Sequence, residues 1–263
     1  MQSLVERHQR RPSARYYHRE TLPRDSLRLL RPRPSLINEL NFDIFVVLRR
    51  TAPAYAAVSY TWGDDKPSKN ICLNGRNFPV RPNLRACLET LASDVFNNKS
   101  FSRFLWVDAI CIDQDNDQER NSQVSQMNNT YQCAQYVCVW LGPSLTEGLL
   151  EWKSWEDSIQ ELARRPYWTR FWVIQEFLLN RGVRIYCGRN SILLDEFANI
   201  AHQAANIRRP RATARELWDH FDGVTDLLPM LTLVMAGRDS ASAQPVTRIP
   251  TESPRYTSTL AMR

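Results

Sequence analysis

Histidine is nearly missing from this chain. The four are His8, His18, His202 and His220, so no imidazole lies between residues 19 and 201. That argues against a Ser-His-Asp or Cys-His nucleophilic site in the core, and excludes a His-containing zinc site there. Glycine is scarce, at eight residues, and neither GxGxxG nor a Walker-type GxxxxGK(S/T) occurs. A dinucleotide cradle or P-loop therefore has no support. No CxxC exists among the six cysteines, most of which sit inside apolar runs. They read as buried free thiols in a reducing compartment, so a cytoplasmic location is expected. The N-terminus has no apolar signal core, and the longest apolar stretch, around Leu227–Ala236, contains Pro229. It is too short to span a bilayer, so no membrane association is expected.

What is present suits one large globular domain with extensions. The 263 residues are 43% hydrophobic and 24% charged, enough to bury a core. The net charge of +6 is uneven: residues 1–50 hold eleven Arg against five acidic residues. A basic arm of this kind binds nucleic acid or anionic membrane in some proteins. Here Leu27, Leu29, Ile44, Val46 and Leu48 alternate with the charges, which favours solvated strands instead. The expected organisation is a basic, loosely ordered arm at 1–23, a main domain at 24–207, a short helical extension at 208–239 and a disordered tail at 240–263.

Along the main domain, Leu27–Arg31 and Asp43–Arg49 read as two early strands and Tyr55–Tyr60 as a third. Ile71–Val80 reads as a hairpin, because Asn74-Gly75 between apolar flanks suits a type I′ turn. Asn83–Phe96 carries Leu84, Leu88, Leu91 and Val95 at helical spacing. Phe104–Cys111 and Tyr136–Leu141 read as buried strands, and Gln118–Ala134 as a helix with Val124, Met127 and Tyr131 on one face. Helices follow at Leu149–Ala163 and Thr169–Leu179, separated by Pro166. Val183–Cys187 closes the strand series, and Leu217–Val234 holds one or two helices. Strands alternating with helices predict an α/β fold with a mostly parallel sheet and helices on both faces. Ligands in such folds bind beyond the C-terminal strand ends. Those ends carry Tyr60–Asp65, Asp108–Gln114 and the segment after Leu141.

Two constellations invite chemistry. Asp113-Gln-Asp115-Asn-Asp117 mimics the start of a calcium loop, but Gln118 stands where Gly is needed and Val124 where a bidentate Glu is needed. No metal site is expected, and these acids read as a helix N-terminus. In Arg170–Glu176, Trp172 and Glu176 are four apart and share a helix face. A carboxylate beside a large ring is partly desolvated and would stabilise a nearby cation. The spacing alone favours a plainer ion pair of Glu176 with Arg170, Arg120 or Arg181.

Taken in order, the segments resemble a known family. Tyr55-Ala-Ala-Val-Ser59-Tyr60-Thr-Trp62-Gly63-Asp64 resembles the opening motif of the fungal heterokaryon-incompatibility (HET) domain. Leu105-Trp106-Val-Asp108-Ala-Ile-Cys111-Ile-Asp113-Gln114, with Glu119-Arg120, Gln123 and Met127, is similar to its second motif. Tyr131, Ala134 and Val139-Trp140-Leu141-Gly142 continue it. Arg170-Phe-Trp172-Val-Ile-Gln175-Glu176 looks like the third, and Cys187-Gly188 like the strand after it. The resemblance runs from about Leu27 to Ile200. Asp113 stands where the family usually has Asn, Ala56 where an acid is common, and the usual Asp-Lys segment after Ile207 is lacking, as in a short or truncated member.

The resemblance implies a distant kinship with Toll/interleukin-1-receptor-like (TIR) domains. It carries a TIR-like, flavodoxin-like sheet with an added N-terminal β-hairpin region. Some TIR domains cleave NAD at the nicotinamide–ribose bond with a Glu in a Trp-x-x-x-Glu setting. On that basis Glu176 becomes the catalytic candidate. Ser59, Tyr60, Trp62, Gly63, Asp64, Asp108, Asp113, Arg170 and Trp172 become substrate-binding candidates. NAD would be a substrate and no cofactor is implied. The implied role is an effector of fungal nonself recognition and programmed cell death, a form of innate immunity. Expected partners are a second copy through TIR-like contacts, or an NLR-type or other incompatibility protein. A non-catalytic self-association module is the alternative. Nucleic-acid binding through the basic N-terminus is the third reading, and no binding fold accompanies it.

Overall fold

The computed structural model describes residues 21–35, 39–97, 101–144, 162, 164–169, 180 and 182–207. The expected helices at 149–163 and 169–179, the arm before residue 21 and everything after residue 207 lie almost wholly outside these residues.

Among the described residues, nine strands form one sheet. They are β1 (Ser26–Arg33), β2 (Asn41–Leu48), β3 (Ala56–Tyr60), β4 (Lys69–Leu73), β5 (Arg76–Val80), β6 (Leu105–Trp106), β7 (Tyr136–Trp140), β8 (Val183–Cys187) and β9 (Asn190–Leu193). Their spatial order is β5-β4-β2-β1-β6-β3-β7-β8-β9. The centre, β6-β3-β7-β8, is parallel throughout. Outside it the pairs β1–β2, β1–β6, β4–β5 and β8–β9 are antiparallel, and β2 meets β4 in parallel through Asn41 and Phe42 alone. The sheet is therefore mixed, which corrects the expectation of a mostly parallel one. The extra pairings come from β1 and from the β4–β5 and β8–β9 hairpins. Neither alternation nor turn residues reveal which neighbour an edge strand takes.

Five helices accompany the sheet among the described residues: α1 (Pro82–Asn97), α2 (Asp108–Cys111), α3 (Asp117–Ser125), α4 (Met127–Cys133) and α5 (Leu194–Ile207). Side chains alternate along a strand, so the registers assign the faces. On one face Tyr186 donates to Asp94 at 2.8 Å and Trp140 donates to Asn83 at 2.8 Å, which seats α1. On the other, Trp106 meets Tyr131 edge-on at 5.5 Å and Ser59 reaches Tyr167, which seats α4 and the 3-10 turn Pro166–Thr169. With both faces covered, β3 is buried at all five positions and β7 at four of its five.

Four local expectations change. The run Phe104–Cys111 is a strand only at Leu105–Trp106. From Asp108 it turns into α2, where the Cys111 N–H reaches the Val107 carbonyl at 2.7 Å. A short apolar run suits either state, since Ile110 and Cys111 are buried in the helix as they would be in a strand. The helix expected at Gln118–Ala134 is two helices that break at Gln126, whose N–H is shared by the carbonyls of Gln123 and Val124. That break turns Val124 outward, to 46% exposed, while Gln123 is buried. The strand series does not stop at Gly188: β9 and α5 follow, and Phe197 of α5 stacks on Trp168 at 5.9 Å. Lastly, Cys133 is exposed and Cys72 half-buried, so the burial expected of the thiols holds for Cys87, Cys111, Cys138 and Cys187.

Candidate functional site

The four parallel strands, numbered by their place in the chain, run second-first-third-fourth across the sheet. The crossover from β6 to β7 passes β3, which puts the switch point, where such sheets form their ligand crevice, beyond the C-terminal ends of β3 and β7. Two of the three expected segments converge there. The Trp62 indole N–H donates to Asp108 Oδ2 at 2.9 Å, linking the loop after β3 to the start of α2. The other oxygen of Asp108 accepts from the Ala109 N–H at 2.7 Å, and its carbonyl accepts from Gln114 at 3.0 Å. The Asp108 carboxylate thus orients an aromatic ring and fixes its own helix.

Two residues that sequence reasoning passed over hold this loop. Asn83 donates to the Thr61 carbonyl at 2.7 Å and accepts from Trp140 at 2.8 Å, tying the ends of β3 and β7 together. Arg81 donates to the Gly63 carbonyl at 2.9 Å, and its guanidinium lies 5.2 Å from the Trp62 ring centroid, a cation–π distance. The signal for both was their place just before and within the first turn of an amphipathic helix, where polar side chains meet neighbouring loops.

The remaining candidates separate. Ser59 and Tyr60 are buried, at 1% and 3% exposed. The Ser59 hydroxyl lies 2.5 Å from that of Tyr167. Gly63, with φ 71°, and Asp64 are exposed in the loop. Asp113 is half-buried and accepts from the Asp115 N–H at 3.2 Å, a local turn that leads into α3. Arg170, Trp172 and Glu176 lie outside the described residues. Of the pairing partners weighed for Glu176, Arg120 contacts Asp117 at 2.6 Å and the Gln114 carbonyl at 3.0 Å.

Behind the loops sits a buried ion pair. Arg28 of β1 binds both oxygens of Glu119 and the Cys111 carbonyl. Glu119 also accepts from the N–H groups of Asp113 at 2.8 Å and Leu22 at 3.2 Å. Burial alone would raise this carboxyl. The Arg28 hydrogen bonds and the two N–H donors more than offset it and hold Glu119 below the usual carboxylate range. Cys111 beside it is pushed up to about 12 by burial, so it stays a neutral thiol. No group of His, Cys, Asp and Glu among the described residues could hold a metal ion.

Residues 55–154 match the family model described as heterokaryon incompatibility protein (HET). Over this stretch the chain is similar to the HET domain. The matched span includes Trp62 and Asp108, both ends of their bond, and stops before Arg170. It is narrower than the Leu27–Ile200 span over which the motifs resemble the family. "Heterokaryon incompatibility protein 6, OR allele" of Neurospora crassa is 33% identical over 135 residues, which cover 48% of this chain and 20% of that protein. The chain thus spans about a fifth of the length of the curated relative it matches. No solved structure matches the chain. No helix among the described residues is long and apolar enough to cross a membrane.

Proposed function

We propose that the chain is a HET-domain effector of nonself recognition and programmed cell death that cleaves NAD at the nicotinamide–ribose bond. The observation that carries this reading is the Trp62–Asp108 pair at the strand-end crevice, an aromatic ring fixed by a carboxylate where parallel sheets bind ligands. The parallel-strand order supports the reading, because flavodoxin-like sheets, to which TIR domains are kin, use the same order.

In the proposed reaction the C1′–N bond breaks first and nicotinamide leaves with the bonding electrons as a neutral group. No general acid is needed, consistent with a core that lacks histidine. Glu176 stabilises the cationic ribosyl centre and orients the ribose hydroxyls. Water then adds at C1′ and releases a proton, giving ADP-ribose. Trp62 stacks on a ring of the substrate, Trp172 stands four positions before Glu176 in the sequence, and Arg170 contacts phosphate. Asp108 positions Trp62, and Asp113 shapes the adjoining loop.

The test is incubation of the purified protein with NAD. Nicotinamide release that falls about a hundredfold or more in Glu176→Ala supports the reading. A folded protein that turns over no NAD at any protein concentration sinks it. That outcome favours the second reading, a non-catalytic self-association module. Supporting this second reading, the polar groups at the strand ends bond to one another: Trp62 to Asp108, and Asn83 to both Thr61 and Trp140. A rigid polar surface of that kind suits docking, and sedimentation that shifts with concentration would reveal it.

A further inference from the structure

A second site stands apart from the strand-end loops and shares no lining residue with them. It is a groove of about 520 Å³ between α4 and the chain that connects β2 to β3. Arg24, Arg49 and Arg50 line it, against a single acid, Asp25. Arg24 and Arg50 are exposed and make no hydrogen bond or ion pair among the described residues. Arg49 is different. Its two Nη atoms donate to the neutral acceptors Thr130 Oγ1 at 2.7 Å and Gln123 Oε1 at 2.8 Å. Its Nε is buried and has no partner among the described residues. Asp25 holds this segment through its backbone, since its carbonyl accepts the Arg49 N–H at 2.8 Å, and its carboxylate is not within ion-pair distance of Arg49.

A guanidinium oriented by neutral side chains, half-withdrawn from water and with no carboxylate in ion-pair contact among the described residues is costly for a fold to keep. Burial lowers its pKa, which points the same way. Two further arginines beside it raise the local positive potential. A planar guanidinium fork matches the oxygens of a phosphate better than it matches water. Leu27, Leu48 and Ala52 add an apolar wall, so the groove also has room and surface for the rest of a small molecule.

We propose that this groove binds a phosphate-bearing small molecule, with Arg49 as the fixed anchor and Arg24 and Arg50 closing on the anion. The site rests on its own geometry and does not depend on NAD cleavage.

Pyrophosphate is the probe, titrated calorimetrically into the 263-residue protein at constant ionic strength. Cys133 lines the groove and is the exposed cysteine among the six, so its alkylation by iodoacetamide reports occupancy. Expected results are saturable binding that weakens as salt rises, and slower alkylation of Cys133 when pyrophosphate is present. Arg24→Gln and Arg50→Gln should each weaken binding tenfold or more, and the double variant should abolish the protection of Cys133. Both side chains are exposed and unbonded, so these variants fold, which circular dichroism checks. Arg49→Lys should also weaken binding, since a single ammonium nitrogen cannot reproduce the planar fork whose separate nitrogens reach Thr130 and Gln123 while facing the anion. Glu176→Ala should bind pyrophosphate as the parent does, whatever happens to NAD turnover. Absence of saturable binding overturns the proposal. So does binding that the double variant leaves unchanged, or that fails to protect Cys133, because the anion would then sit elsewhere.

Discussion

At the scale of single residues, Glu119 and Arg28 dominate. Their side chains are 2% and 4% exposed, so each depends on the other for its charge to be tolerated. Glu119→Gln should destabilise the fold by about 3–5 kcal/mol, read from urea unfolding, because it strands the Arg28 cation. The carboxyl is held below its unfolded pKa, so its contribution is complete at neutral pH. It fades as pH falls below the unfolded carboxylate value of about 4.3 and through the lower folded value. The parent should therefore lose stability steeply in acid, and the Gln variant should show a shallower loss. Trp62→Phe removes one charge-assisted hydrogen bond at a half-buried site, for about 1–2 kcal/mol. If the crevice binds substrate, the same change should lower NAD turnover far more than it lowers the melting temperature. The residue-level reading of the second motif was only partly legible. Glu119 and Asp108 stood out by type and order, but a carboxylate that organises a loop and one that binds a ligand look alike in sequence. Only their partners, Arg28 from a distant strand and the Trp62 indole, tell them apart.

At the scale of elements, turns were the most readable feature. Asn74-Gly75 implied a type I′ hairpin, and both residues take positive φ, 48° and 76°. Gly75→Ala should cost about 1–2 kcal/mol in thermal unfolding through backbone strain alone, since no atom lies within 4 Å of the added carbon. Gly188 should be less tolerant. It has φ 56°, and a Cβ there would come within 2.9 Å of Ser144, so Gly188→Ala adds a steric clash to the strain and should lower the melting temperature more than Gly75→Ala does. The amphipathic α1 was legible for the same reason, since its leucines recur at the helical period and all are buried. The break at Gln126 was not, because no Gly or Pro marks it. It is made by a shared N–H and by Thr130 and Tyr131 packing toward β3, where Tyr131 donates to the Val58 carbonyl at 3.3 Å. The β9 strand hid because Asn190–Leu193 carries exposed positions and only four residues.

At the scale of the whole molecule, the parallel centre could be inferred from alternating strands and helices, while the antiparallel flanks could not. Pairing between Leu30 and Leu105 joins segments 75 residues apart, and no local pattern encodes that choice. The convergence of Trp62 with Asp108 follows from the same centre, which explains why two site segments could be placed together from sequence. The sheet is unevenly stitched. The outer ribbon of β4 and β5 meets β2 through two residues of ladder, with N–H groups of Cys72 and Asn74 bonding to Leu40 and Phe42. The rest of its grip includes the Ile44 N–H, which donates to Asn74 Oδ1 at 3.0 Å, and α1, where Arg85 reaches the Asn70 carbonyl. Such a narrow seam is where a cooperative lattice would part first. In native-state hydrogen exchange the amides of β4 and β5 should open together at a free energy below that of β3 and β7, so the sheet would unzip as two outer strands and seven inner ones. A chain built this way can let one margin breathe while the crevice beyond β3 and β7 keeps its shape.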